Sequence, residues 1–459
     1  MGKGALNGVI KQWVEKEFKT LWLKNKRLER RFLRTMSDLS EQPGKSIWLA
    51  SGSRANAKAV YRMLKNEDFT KENILAAHQE ASEERGAEAE ILLAVQDTMA
   101  VNYNSHEKTE GLGYNCEQTR GLNVHNCILL TPDGIPLGLL GQSVITREGP
   151  VDKRLTKEQK RLRPIEEKES YRWLETMNIA AANAPKQAEL VHIADREGDI
   201  YELYALAERT EQKFVIRAIY DRMNTENEHI QTVLQTVAPA GKMKVTIPAN
   251  RKKKTKEREA ILTVRHNHFD IRKPRGKDAE MAPSLKLTLI SLKEEIPPSG
   301  ADAVEWLLIT NLSVENAADA IRAGEYYKQR WKIERFHFVL KSACEIEKIQ
   351  QRSVEGIELM LLLYSIISIH IMQLTFISRN YPHMPCSLIF AKGEWTTLYR
   401  AANRTTQSPE EPYPIGDAVR YIAKLGGFSG AKSDGPPGLK VIWLGLNALY
   451  ILNAYREFV

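Results

Sequence analysis

Cysteine is scarce in this chain. Its 459 residues include four, Cys116, Cys127, Cys344 and Cys386, with no C-x-x-C spacing and no paired histidines nearby. That excludes a disulfide-built scaffold and leaves no zinc-site pattern, so reduced thiols in a cytosolic protein are expected. Long apolar runs are also missing. The longest, Leu359 to Ile369, is followed by His370 and Gln373 and falls far short of a membrane span; it reads as a buried helix. Met1 to Phe18 alternates charged with apolar residues, so no export signal is expected there. No internal repeat is present, which excludes a solenoid.

Basic charge is what the chain has in excess. Lys and Arg number 66 against 58 Asp and Glu, a net charge of +8 with a pI near 9.0. Such a balance suits a polyanionic partner such as nucleic acid. With 42% hydrophobic and 27% charged residues, the composition is that of a folded protein with several cores.

Residues 1 to about 75 read as a helical, basic module. Trp13, Phe18, Leu21, Leu28, Phe32 and Leu33 supply an apolar side, with Arg27, Arg30 and neighbouring cations outside it. After the break at Pro43-Gly44, Lys45, Arg54 and Arg62 continue the basic character. A solvated bundle would look similar, but the density of cations favours a DNA-contacting module.

From Glu90 the pattern changes. Ile91 to Val95 is a short apolar run that reads as a buried strand ending at Asp97. Cys127 to Leu130 and Leu137 to Val144, separated by Pro132-Asp133-Gly134, complete a meander. A helix follows around Tyr171, Trp173 and Leu174, then a strand from Leu190 to Ala194 that runs into Asp195, a short helix, and a strand from Lys213. Residues from about 235 to 305 read as a β-rich insertion with the charged loop Arg251 to Arg258, and residues 376 to 459 as a helical tail. The fold class is therefore α/β, with a catalytic-type core at 76 to 375 between two helical ends.

The chemistry concentrates in Tyr327 to Lys341, YKQRWKIERFHFVLK. At about 100° per residue of α-helix, Tyr327, Arg330, Glu334 and Lys341 fall within roughly 60° of arc. Ile333, Phe336 and Leu340 face the other way, toward a core. A carboxylate between two permanent cations and a phenol suits a place where a metal-binding acid meets a phosphate backbone. Taken alone, the helix also fits an ordinary solvated face with an i,i+4 ion pair. Asp97 and Asp195, each at the carboxyl end of an apolar strand, add two more acids where α/β folds gather ligands. Three converging carboxylates repel one another, and Mg²⁺ or Mn²⁺ is the all-oxygen remedy. Two such ions would serve in-line phosphoryl transfer.

Three blocks carry a resemblance: LLAVQDT (Leu92 to Thr98), IADREGDIY (Ile193 to Tyr201), and the Y-x2-R-x3-E-x6-K signature from Tyr327 to Lys341. With them the chain resembles the DDE transposases of the IS-four family, and weaker similarity runs over nearly its whole length. The resemblance implies an RNase H-like core with a β insertion, and Asp97, Asp195 and Glu334 as a metal-binding triad using Mg²⁺, with Mn²⁺ substituting. Tyr327, Arg330 and Lys341, assisted by Arg217, would grip phosphates. Trp306 matches a position on which a flipped base stacks, and Trp331 would act as a wedge.

It further implies cut-and-paste transposition: end recognition by the N-terminal module, pairing through the C-terminal helices at 376 to 459 into a homodimer on two DNAs, nicking, hairpin formation and resolution, and strand transfer into target DNA. The expected setting is the bacterial cytoplasm, on the nucleoid. Two other readings fit: a catalytically silent, transposase-derived DNA-binding protein or repressor, and a metal-dependent nuclease that cuts without joining. The chain departs from the family at Leu23-Lys24-Asn25, where relatives carry Leu-Gly-Asp before an Arg-rich helix.

Overall fold

The computed structural model describes residues 11–115, 119–147, 156–248, 255–278, 280–431 and 434–455. Five helices come first: α1 (Gln12–Glu17), α2 (Lys26–Glu41), α3 (Ile47–Ala50), α4 (Arg54–Leu64) and α5 (Lys71–Gly86). The departure at Asn25 is chemically mild. Asn25 caps α2, its side chain accepting from Arg27 N at 2.9 Å, the role an Asp would play. Ser46, Ser53 and Thr70 cap the next three helices in the same way.

Three antiparallel strands follow, β1 (Ile91–Asn102), β2 (Gly121–Leu130) and β3 (Pro136–Ile145). The turn between β2 and β3 uses Gly134 at φ +85°, a conformation open to glycine without strain. Helices α6 (Lys157–Leu162) and α7 (Tyr171–Asn183) lead to β4 (Glu189–Ala194), then α8 (Tyr201–Arg209) to β5 (Lys213–Arg217). β4 pairs parallel with β1, and β5 parallel with β4. After α9 (Ile230–Thr236) come β6 (Gly241–Ile247), β7 (Arg258–Arg272), β8 (Ser284–Lys293) and β9 (Glu305–Thr310).

The β-rich insertion does not form a separate lobe. β9 pairs antiparallel with β5, so all nine strands make one sheet in the order β3-β2-β1-β4-β5-β9-β8-β7-β6. The first five have the RNase H-like arrangement, a meander joined to two parallel strands. The cationic run Arg251 to Lys254 lies outside the described residues.

Alternation along the strands divides two cores. Val215 and Leu308 enter the larger one, while Phe214, Ile216 and Ile309 enter a second beneath α7 and α8. The helices after the sheet are α10 (Ala317–Lys328), α11 (Trp331–Ser342), α12 (Val354–Asn380), α13 (Lys392–Asn403), α14 (Ile415–Leu425) and α15 (Leu439–Tyr455). The apolar run expected to be short belongs to α12, a 27-residue helix long and apolar enough to cross a membrane by length and composition alone. In the fold, 89% of its most apolar window is buried, against β3, α2, α5, α14 and α15. The boundaries expected at 75 and 375 fall inside α5 and α12, so both helical ends are continuous with the core.

The buried Glu17 anchors the N-terminal helices. Burial would raise its pKa, but His78 and Arg85 more than reverse that and bring it to about 2. Arg85 donates to it at 2.8 Å from Nη1, tying α1 to α5. Cys127, Cys344 and Cys386 are buried and unbridged; Cys116 lies outside the described residues.

Candidate active site and nucleic-acid interface

β1 is longer than its apolar run suggests, and Asp97 sits within the strand instead of after it. The strand continues because β2 goes on pairing with it, from Asp97↔Asn126 to Asn102↔Gly121. β4, in contrast, stops at Ala194, and its last partner pair with β1 is Val95↔Ile193. Asp97 and Asp195 each lie two residues beyond that last pair, where the strands part, close enough for Asp195 to raise the Asp97 pKa. Such a parting is where open α/β sheets hold ligands. Asp195 also caps the turn Arg196–Gly198, accepting from Glu197 N at 2.9 Å.

Glu334 comes from the first turn of α11, which packs against β1. The stretch expected as one helix is two. α10 ends at Lys328, and Gln329 and Arg330 form a tightened turn in which Arg330 N reaches Tyr327 O at 2.9 Å and Ile333 N reaches Arg330 O at 3.2 Å. Bonds of i to i+3 spacing rotate the chain by about 120° per residue instead of 100°. Tyr327 is buried, 4% exposed, while Glu334 faces outward with its side chain 56% exposed. Ile333, Phe336 and Leu340 fill the core as expected.

Electrostatics link the three acids. Burial above all, with Asp195 and Glu334, pushes the Asp97 carboxyl up to about 7 against the pull of the Thr98 N–H and Arg330. Arg330 stands between two of them: Nη1 lies 3.8 Å from Asp97 Oδ2, and Nη2 hydrogen-bonds to Glu334. Among the described residues, no three His, Cys, Asp or Glu side chains close into a metal-holding group. The donor chemistry nevertheless fits a hard divalent cation: three carboxylates, one of them destabilised as an anion by burial and by the other two. His337 is no rival ligand. Its Nε2 is engaged by the Asn126 amide nitrogen at 3.1 Å, and burial lowers its pKa to about 3.

The other expected residues divide. Tyr327 lies among Arg330, Arg217 and Asp195, and its pKa is raised by burial. Trp306 meets it edge-on with ring centroids 5.3 Å apart. Arg217 ends β5 and donates to Glu305 O at 2.8 Å. These three, with Arg330 and the acids, form one neighbourhood. Lys341 lies further along α11, 3.6 Å from Glu347. Trp331 turns toward α12, its ring edge-on to Phe376 at 6.0 Å with Lys332 and Arg335 over its face. It is 36% exposed at the rim and is not packed against the carboxylates. In the N-terminal helices Arg27, Arg30, Lys45, Arg54 and Arg62 are all exposed.

Several residues escaped the sequence reading. Trp22 and Trp48, 68% and 57% exposed, add aromatic faces to the basic module, a combination suited to nucleic acid. Two open cavities flank Arg196, one of ≈980 Å³ edged by Arg217, Arg265 and Lys293, the other of ≈1030 Å³ edged by Arg172, Arg272 and Lys277. No single motif signals them, because their cations come from distant segments. Asp199 of the second motif is structural. It is buried, accepts from Arg222 Nε at 2.8 Å and from the backbone N–H groups of Ile219 and Tyr220, and ties the ends of β4 and β5 together.

Three family descriptions match the chain: "Transposase DNA-binding" over residues 10–69, "Transposase DDE domain" over 173–369, and "Transposase Tn5 dimerisation domain" over 366–456. The chain belongs to the DDE transposase superfamily. This transposase-superfamily chain thus joins a DNA-binding domain, a DDE catalytic domain and a Tn5-like dimerisation domain. Asp195, Tyr327, Arg330, Glu334 and Lys341 lie inside the DDE match, and Asp97 precedes it. Among solved structures the chain is similar to the "Cryo-EM structure of piggyBac transposase synaptic complex with hairpin DNA", at 11% identity and a TM-score of 0.39, over 81% of this chain and 72% of that one.

Proposed function

We propose that this protein is a cut-and-paste transposase of the IS-four family, resembling the Tn5 transposase. In this reading Asp97, Asp195 and Glu334 form its metal-binding triad. The observation that carries the reading is the meeting of Asp97 and Asp195 at the parting of β1 and β4, with Glu334 electrostatically coupled to Asp97. Two Mg²⁺ ions, with Mn²⁺ able to substitute, would supply an activated water or 3′-hydroxyl and stabilise the leaving oxygen.

The protein's own groups do the rest. Arg330 neutralises Asp97 and Glu334 in the absence of DNA. A phosphodiester entering the site competes for the same guanidinium, since Arg pairs with phosphate as readily as with carboxylate. Arg330 then holds the phosphate, and the acids are released for their cation. Tyr327 and Arg217 steady the adjoining phosphates, and Lys341 extends the grip along α11. Trp306, half-buried beside Tyr327, offers a face for an extruded base, and Trp331 at the rim would wedge the duplex as a hairpin forms. The N-terminal cations bind the terminal inverted repeats. The C-terminal helices pair two protomers, so that each active site works within a synapse of two ends, in the bacterial cytoplasm.

The test is strand transfer. Purified protein and precleaved ends of the encoding element, with Mg²⁺ and a plasmid target, are expected to give joined products. Cutting without joining would make it a nuclease, and specific binding without cutting in Mg²⁺ or Mn²⁺ would make it a silent DNA-binding derivative.

A further inference from the structure

Behind the acids runs a buried line of hydrogen bonds that the reaction itself does not use. Strand alternation puts the side chains of Gln96 and Thr98 on the face of the sheet opposite Asp97. On that face Arg172 of α7 donates from Nε to Thr98 Oγ1 at 2.9 Å. Thr98 Oγ1 lies 2.8 Å from His125 Nδ1 on β2. His125 Nε2 lies 3.3 Å from Gln96 Oε1, and Gln96 Nε2 lies 3.4 Å from His192 Nδ1 on β4. Arginine has donors only, and the Gln96 oxygen requires a hydrogen on His125 Nε2. The Thr98 hydroxyl therefore donates to His125, and each link has one direction. Burial keeps His125 and His192 neutral, as this direction needs.

Arg172 has a second hold. Its Nη2 donates to Glu197 Oε2 at 2.6 Å, and its Nη1 to Glu169 O at 2.7 Å. Glu197 is the residue whose backbone N–H donates to the capping carboxylate of Asp195. One guanidinium, 13% exposed, thus grips the residue after Asp97 and the turn that begins at Asp195. β4 has ended there while β1 runs on beside β2, so no ladder bond between β1 and β4 fixes the spacing of the two.

We propose that Arg172 is a positioning residue that, through Thr98 on one side and Glu197 on the other, sets the separation of Asp97 and Asp195 for metal binding. This rests on the reading that those two carboxylates hold the metal. Groups behind metal ligands typically change metal affinity by about 10- to 100-fold when lost.

The experiment titrates the full-length protein with Mn²⁺, read by electron paramagnetic resonance, in wild type, Asp97→Ala, Thr98→Val, Thr98→Ser, Arg172→Met and Arg172→Lys. Thr98→Val removes the hydroxyl with little change of shape, and Thr98→Ser keeps it. Asp97→Ala is expected to abolish the tight site. Thr98→Val and Arg172→Met are expected to weaken it about tenfold or more, Thr98→Ser to stay within about twofold of wild type, and Arg172→Lys to fall between. The Thr98 pair carries the test alone if Arg172→Met does not fold, because Thr98→Val keeps the shape without the hydroxyl and Thr98→Ser keeps the hydroxyl without the methyl. Unchanged Mn²⁺ affinity in Thr98→Val, or equal loss in Thr98→Val and Thr98→Ser, would overturn the proposal. Unchanged affinity in Asp97→Ala would instead overturn the metal-site reading beneath it.

Discussion

Replacing Asp97 by Asn should make the free protein more stable above neutral pH while removing its catalytic use. Burial and the neighbouring acids lift the Asp97 carboxyl from 3.8 to about 7, so the folded state resists its ionisation. A raised carboxyl contributes stability that is fully present below the unfolded pKa and is lost as pH rises through the folded one, here from 3.8 to about 7. That interval, at ~1.4 kcal/mol per pH unit, amounts to about 4 kcal/mol of destabilisation at pH 8. Asn has no charge to penalise, and its Oδ1 still accepts from Thr98 N as Asp97 Oδ1 does at 2.7 Å. The assay is urea denaturation of wild type and Asp97→Asn in a chelator, without DNA, at pH 8 and pH 4.5. The expected advantage of the variant is ~2–4 kcal/mol at pH 8 and shrinks to about 1 kcal/mol at pH 4.5, close to the unfolded pKa. An advantage independent of pH, or a variant less stable than wild type at pH 8, would refute the claim that burial and the neighbouring acids penalise the Asp97 anion.

Three further outcomes follow from named contacts. Glu334→Ala should abolish nicking yet leave end binding within a few-fold by gel shift, since Glu334 is exposed and packs no core; lost binding would show a structural role. Arg330→Ala should weaken DNA binding and lower the slope of log affinity against log salt by ~0.9, the contribution of one phosphate contact; an unchanged slope would remove Arg330 from the interface. Asp199→Ala should destabilise the protein by about 3–5 kcal/mol in chemical denaturation, because it leaves the buried Arg222 unpaired; a loss under ~1 kcal/mol would contradict that pairing.

The order of elements was legible because apolar runs and turn residues punctuate it: the meander around Pro132-Asp133-Gly134, then alternating strands and helices up to Lys213. The meeting of Asp97 with Asp195 was legible for a related reason, since both lie at carboxyl ends of apolar runs that pair in parallel. The length of β1 was missed because Thr98 to Asn102 alternates instead of continuing as an apolar block. The break at Gln329–Arg330 was missed because it carries no proline or glycine to announce it. Arg172 was invisible for the opposite reason. Its partners Thr98 and Glu197 come from two separate segments, and only the folded sheet brings them together. The joining of the β insertion to the core depends likewise on β9 returning to pair with β5, a long-range choice that no local pattern encodes.

The central claim, a metal-dependent phosphoryl-transfer site at Asp97, Asp195 and Glu334, is tested most directly by Mg²⁺-dependent cleavage of DNA carrying the ends of the encoding element, with Asp97→Ala alongside. Hairpinned or excised ends from wild type and none from the variant are the predicted result. Equal cleavage by both proteins, or end-specific binding with no cleavage by wild type in either Mg²⁺ or Mn²⁺, would contradict it.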